Sequence, residues 1–330
     1  MPLFPLLCGL LTLFLSCTTP APQEPTHFSQ NKMTIDYHIA IGDLLNENQK
    51  QQAQRIIDTV FREIDDIYNK WNPESELSRL NTLPAYTPCL LSAQLNQFFQ
   101  RLDGLVKLSE GRFDPTVEPL QKLWKNRLED GCCPTPTEIA SLKTCIGWST
   151  LHVADGVFYK EDGRTQLDFG GVAKGLCVDL LIERLHEAGF QDLFVEWGGE
   201  IRTLGFHPSK RPWCVCISSP TRPDPSHAIA HLDLINRALA TSGDYFQYWT
   251  IITEQGEQKT YCHVFNPLTL KPLEVKKGSI ASASLSALDC TTADALAKVL
   301  MLFDSPEEAQ EWIKTLQAER PYLACWIVAR

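Results

Sequence analysis

The strongest chemical signal in the sequence is a phosphate cradle with a lysine in it. In LDFGGVAKGL the spacing predicts a strand closing at Asp168, a tight turn through Gly170 and Gly171, and a helix from Val172 to Gly189. The first N–H groups of a helix lack partners within it, and with the helix dipole they favour an anion. Lys174 and Gly175 fall in that first turn, where a long cation and a bare backbone can meet a phosphate. A second predicted strand, from Leu193, brings Gly198, Gly199 and Glu200 to the same neighbourhood. The spacing is neither a Walker P-loop nor a GxGxxG fingerprint. Without an HRD or VAIK upstream, Asp-Phe-Gly does not make a kinase. Glycines that only pack the helix on the sheet are the alternative.

Three more places carry chemistry. In GRFDPTVEPL, Gly111 stops a helix, Phe113 and Asp114 sit in the turn, and Pro115 holds the Asp114 backbone extended. The Asp114 carboxylate either faces a ligand or caps local N–H groups. In CHVFNP, His263 and Val264 lie on a short strand running into the Asn266-Pro267 turn. Histidine is the usual proton carrier near neutral pH, and a structural role is its alternative. In CTTADALAKVLMLF, helical spacing puts Thr291, Asp294 and Lys298 on one face and Leu296, Val299, Leu300 and Phe303 on the other. Asp294 can hold a hard cation, or pair with Lys298 at i,i+4 for about 0.2–0.5 kcal/mol.

Positioning these residues takes alternating helices and strands. An apolar stripe of Ile57, Val60, Phe61, Ile64, Ile67 and Trp71 predicts a helix from Gln51 to Trp71. Ser92 caps a second helix that stops at Gly111, and helices return from Thr292 to Phe303 and after Ser305, with Pro306 at the first helical position. Asp155-Gly156 and Asp162-Gly163 punctuate short strands, WCVCISS alternates as a strand, and YLACWIVA is apolar enough for a buried one. With 330 residues, 44% of them hydrophobic, the chain can bury a large core. Its net charge of −10 argues against a general nucleic-acid binder, which needs a basic face.

Leu3 to Ser16 is apolar apart from Thr12 and Ser16, too short to span a membrane comfortably, and Cys17 follows at once. Residues 1–16 therefore read as a lipoprotein-type signal peptide, with Cys17 acylated as the first mature residue. Residues 17–31, rich in Thr, Pro and Gln, read as a flexible tether, and 32–330 as the folded domain. Such an anchor implies the periplasmic side of a bacterial membrane. Export permits disulfides, but no CxxC pair signals zinc. Most of the cysteines read as small buried hydrophobes.

Taken in order, MTIDYHI, WNPESELSRLN, GRFDPTVEPL, LDFGGVAKGLCVDLL, FVEWGGEI, SGDYFQYW, CHVFNPLT and TADALA resemble the ApbE family of FAD:protein FMN transferases, from Met33 to about Phe303. The resemblance implies an α+β fold, with helices packed on mixed β-sheets and FAD in a cleft between two lobes. It implies transfer of FMN from FAD, through a phosphoester bond, to a threonine of an acceptor flavoprotein, with release of AMP. By similarity Met33, Trp71, Phe113, Asp114 and Val264 would line the FAD site, Lys174 would lie beside the nucleotide, and His263 would be the base. The family's Mg2+ would be held by the backbone carbonyl of Cys177, by Asp294, and by a threonine whose place Lys298 takes here. Leu270 likewise stands where a glycine is usual, and Cys262 where a serine is. The implied acceptors are subunits of membrane redox pumps with a Ser/Thr-Gly-Ala-Thr-like motif. Two other outcomes use the same residues: an Mg-dependent pyrophosphatase giving FMN and AMP, and a flavin-binding lipoprotein without turnover.

Overall fold

A seven-stranded antiparallel sheet is the backbone of the main lobe. Its order is Thr26–Lys32, Ile35–Ile41, Leu193–Trp197, Glu200–Leu204, Ala238–Gly243, Ile280–Ala287 and Ala324–Ala329. The computed structural model describes residues 24–221, 225–245, 247–253 and 256–330; the leader and Cys17 lie outside them. Met33 and Thr34, both at positive φ (50° and 65°), make the two-residue turn between the first two strands. That geometry matches the right-handed twist of a hairpin. The tether expected through residue 31 therefore ends earlier, because Thr26–Lys32 pairs along its whole length with Ile35–Ile41.

Two helices cover one face of this sheet, Ala173–Glu187 and Cys290–Leu300, and Glu47–Glu63 packs outside the first of them. Every residue of Ile280–Ala287 (IASASLSA) is buried, which small side chains permit in a crowded central strand. Asp289 caps the Cys290–Leu300 helix through the Thr292 N–H at 2.7 Å. The fully buried Asp179 accepts from the Cys290 and Thr291 N–H groups at 2.7 and 2.9 Å. Three of the four orphan donors of that helix end are thereby satisfied inside the core.

The structure departs from the sequence expectations in three places. No strand closes at Asp168. The Asn81 side chain instead accepts from the Leu167 N–H and donates to its carbonyl, at 2.7 and 2.9 Å, so a side chain replaces a neighbouring strand. The first long helix runs Glu47–Glu63, widens into a π-turn over Ile64–Tyr68, and stops at Asn69. There the Asn69 amide donates to Asp65 and accepts from the Trp71 N–H, which competes with the helix and swings Trp71 out. The last strand, Ala324–Ala329, is half-buried at the sheet edge and not a core strand.

A smaller lobe faces the main one. Helix Glu118–Glu129 sets Leu120, Trp124 and Leu128 against Ile251, Trp249, Tyr261 and Phe265 on a three-stranded sheet and Leu270 in one of its turns. That sheet consists of Tyr248–Ile252, Gln258–Asn266 and Lys271–Glu274. The architecture is α+β. Among the described residues no helix is long and apolar enough to cross a membrane.

Candidate functional site

A cavity of about 800 Å³ opens between the two lobes. Met33 of the hairpin turn, Trp71, Phe113, Asp114, His263, Val264 and Lys298 all line it, so seven sequence candidates from five separate segments converge. Gly170, Gly171 and Ala173 line it too, so the start of the Ala173–Glu187 helix does open into the cavity. Lys174, Cys177 and Asp294 are not on its surface.

His263 lies on the Gln258–Asn266 strand, half-buried. Its backbone N–H donates to the Gln247 carbonyl at 3.0 Å, and Nδ1 contacts the same oxygen at 3.3 Å. With Nδ1 as the donor, the neutral ring carries its lone pair on Nε2. Burial and the nearby Lys298 ammonium push the imidazole below its ordinary value, so it is neutral and basic near pH 7. Cys262, next to it, is fully buried with its thiol pushed up to about 11 by desolvation, and takes no part as a nucleophile.

Behind the helix start lies a set of four charges. Lys174 Nζ meets Glu200 Oε2 at 2.5 Å and the Gly198 carbonyl at 3.2 Å. Asp294 is 2% exposed and accepts the Gly175 N–H at 3.2 Å. Burial raises the Asp294 and Glu200 carboxyls, opposed by Lys174 and Lys298. Gly175 itself is a packing glycine: a Cβ there would stand 2.5 Å from the Cys290 carbonyl oxygen. Gly171 is different, since a Cβ there would meet the Lys298 side chain at 3.1–3.4 Å.

The opposite wall is held by a residue that sequence reasoning missed. Lys70 Nζ pairs with Glu118 Oε2 at 2.5 Å and with Asp168 Oδ2 at 3.1 Å. Its ammonium also stands 4.9 Å from the centroid of the Trp71 ring, which projects at the rim, 78% exposed. Asp114 both lines the cavity and caps local N–H groups. One carboxylate oxygen accepts from the Thr116 N–H and hydroxyl, and the other from the Trp148 N–H at 3.1 Å. Leu270 does adopt a glycine-like φ of 56°, held by packing and by the Trp124 indole N–H on its carbonyl. Five cations (Lys70, Arg112, Lys122, Lys125, Lys298) against four carboxylates (Asp114, Glu118, Asp168, Glu129) line the cavity. An acidic chain thus has a locally cationic cleft.

The residues at the expected Mg2+ position do not suit a divalent ion. Cys177 is buried in the body of its helix, away from the cavity. Lys174 pairs with Glu200, and Lys174 and Lys298 both act on Asp294 through space, so an added ion would enter beside two ammonium groups.

A model of the ApbE family matches residues 33–323. The chain is 40% identical to a FAD:protein FMN transferase of Chlamydia pneumoniae over 292 residues, 88% of each protein. It is 29% identical to that of Vibrio cholerae over 298 residues, 90% of this chain and 86% of the other. Among solved structures it resembles the apo flavinyl transferase ApbE of Pseudomonas stutzeri (TM-score 0.76, 25% identity, 93% of this chain and 91% of that one). It also resembles the flavin transferase ApbE of Vibrio cholerae (TM-score 0.75, 26% identity, 93% and 94%).

Proposed function

This chain belongs to the ApbE family, and from that premise we propose that it acts as a FAD:protein FMN transferase. The observation that carries the reading is the convergence of a neutral His263 and the Lys298 ammonium on one inter-lobe cavity. A threonine hydroxyl of the acceptor attacks the phosphorus of the FMN half of FAD. The new Thr–O–P bond forms as the bond from that phosphorus to the bridging oxygen breaks, and AMP leaves with the electron pair. His263 takes the hydroxyl proton on Nε2. The cationic lining offsets the charge that builds on the leaving phosphate. The residues around Lys298 do not make the ligand set expected for Mg2+.

Trp71 offers a flat face for a ring of FAD, and Met33, Phe113 and Val264 supply apolar walls. The acceptor in this reading is a flavoprotein, more narrowly a membrane redox-pump subunit with a Ser/Thr-Gly-Ala-Thr-like motif. Acylated Cys17 would tether the enzyme on the periplasmic side of the membrane, next to such a target.

The test is mass spectrometry of an acceptor domain carrying that motif after incubation with the enzyme and FAD. Gain of one FMN on the threonine, with equimolar AMP, is the expected result. AMP and free FMN without a modified acceptor would make the protein a pyrophosphatase. FAD bound and unchanged would make it a flavin carrier.

A further inference from the structure

We propose that the Lys298 ammonium is the cation that binds and neutralises the FAD diphosphate, so that this site works without a divalent metal. The inference deepens the transferase reading and rests on it. Lys298 lines the cavity, whereas Lys174 does not. Lys70 and Lys174 are each committed to a carboxylate at 2.5 Å, but among the described residues Lys298 has no ion pair within 4.0 Å. Its carboxylate neighbour on the same helix, Asp294, is turned inward to the Gly175 N–H. Its side chain lies across Gly171, where any Cβ would press on Cδ and Nζ at 3.1 and 3.2 Å. The ammonium therefore lies across the turn that leads into the positive end of the Ala173–Glu187 helix, where a phosphate would meet the lysine and the helix end together. A lysine is a compact point charge that serves phosphates well, and here it stands where a hydroxyl ligand of the expected divalent ion would be. In the transfer step Lys298 keeps its proton. It offsets charge on the diphosphate oxygens while the threonine proton goes to His263.

The test measures binding, so it does not depend on transfer. FAD and riboflavin are titrated by flavin-fluorescence quenching in EDTA and in Mn2+, and Mn2+ immobilisation is followed by electron paramagnetic resonance with FAD present. Wild-type protein should bind FAD equally in EDTA and Mn2+, within about twofold, and should immobilise no Mn2+. Lys298→Met should lose roughly 10- to 100-fold in FAD affinity, the size of a lost charged hydrogen bond, and leave riboflavin binding unchanged. Lys298→Thr should recover FAD affinity only with Mn2+, and Lys298→Arg should remain metal-independent; these two carry the test should the Met variant not fold. A tenfold loss of wild-type FAD affinity in EDTA would overturn the inference. So would one Mn2+ immobilised per wild-type chain, or an unchanged FAD-to-riboflavin ratio in Lys298→Met. An enzyme that gave the expected binding yet transferred no FMN would sink the transferase reading and leave the role of Lys298 standing.

Discussion

Lys70 and Asp168 form an ion pair at 3.1 Å that joins the loop after the first long helix to the turn before the Ala173–Glu187 helix. The same ammonium holds Glu118, the first residue of the Glu118–Glu129 helix, at 2.5 Å. Side-chain exposures of 15%, 11% and 8% leave little solvent screening. Lys70→Met should strand the Asp168 carboxylate, leave Glu118 with only Lys122 at 3.3 Å, and cost about 3–5 kcal/mol, read as a lower urea midpoint. Burial alone pushes the Asp168 carboxyl up, but Lys70 and the Gly170 N–H outweigh it and hold it below its ordinary value. Its stabilisation is therefore present above the unfolded value near ~3.9 and is lost as pH falls through the lower folded value. In Lys70→Met burial is no longer opposed by the lysine, so the acid loss of Tm should begin at a higher pH. An unchanged acid limb would mean that Lys70 does not hold Asp168 in solution.

Two glycines near the helix start should separate stability from binding. Gly175→Ala drives a methyl to 2.5 Å from the Cys290 carbonyl, backbone against backbone, where neither side can yield cheaply. Overpacking of this kind costs about 1–3 kcal/mol and sometimes more. Gly171→Ala meets only the far end of Lys298, which can move. It should change the urea midpoint little and weaken FAD binding roughly tenfold, since the displaced ammonium no longer meets the diphosphate. Equal losses of stability in both variants would contradict this assignment.

What can be read from the sequence here is mostly local. Ser92 and Ser305 cap their helices through Leu95 and Glu308, and Asp155-Gly156 turns a hairpin, because each signal acts within four residues. The order of motifs likewise puts Met33, Trp71, Phe113, His263 and Val264 in one cavity. Long-range partners are what the sequence hides. Leu167 finds its hydrogen bonds on Asn81, so a strand-like run is not a strand. THFSQNK looks like tether because it is an exposed edge strand whose partner supplies all the order. A lysine before a tryptophan says nothing until Glu118 and Asp168 arrive beside it. Gly175 reads as a phosphate glycine because its real neighbour, Cys290, is far away in sequence.

The rate of transfer should follow the protonation of His263. Burial and then Lys298 lower its pKa, so the ring becomes a base from below pH 6.5 upward. The acid limb of the transfer rate should accordingly lie below about pH 6.5. His263→Gln should slow transfer by about 10²–10⁴-fold, the usual contribution of a positioned base, while FAD affinity stays within twofold. In Lys298→Met, removing one of the lowering charges should move the acid limb up towards the ordinary histidine value. A limb that stays put in that variant would remove Lys298 from the electrostatic surroundings of His263.

Trp71 should behave as a binding residue with no structural duty. The ring is 78% exposed, and the Lys70 ammonium that stands over it is already held by two carboxylates. Trp71→Ala should therefore leave the unfolding free energy from urea titration within about 0.5 kcal/mol of wild type, as surface changes do. Stacking of a flat aromatic on a base or flavin face is worth about 1–3 kcal/mol, so FAD affinity should fall by roughly 5- to 100-fold, and Trp71→Phe should restore most of it. Titrating riboflavin and AMP separately then identifies the ring that stacks, since only the ligand containing it will lose affinity. If neither ligand is affected while FAD binding stays intact, Trp71 is a rim residue that the nucleotide does not reach.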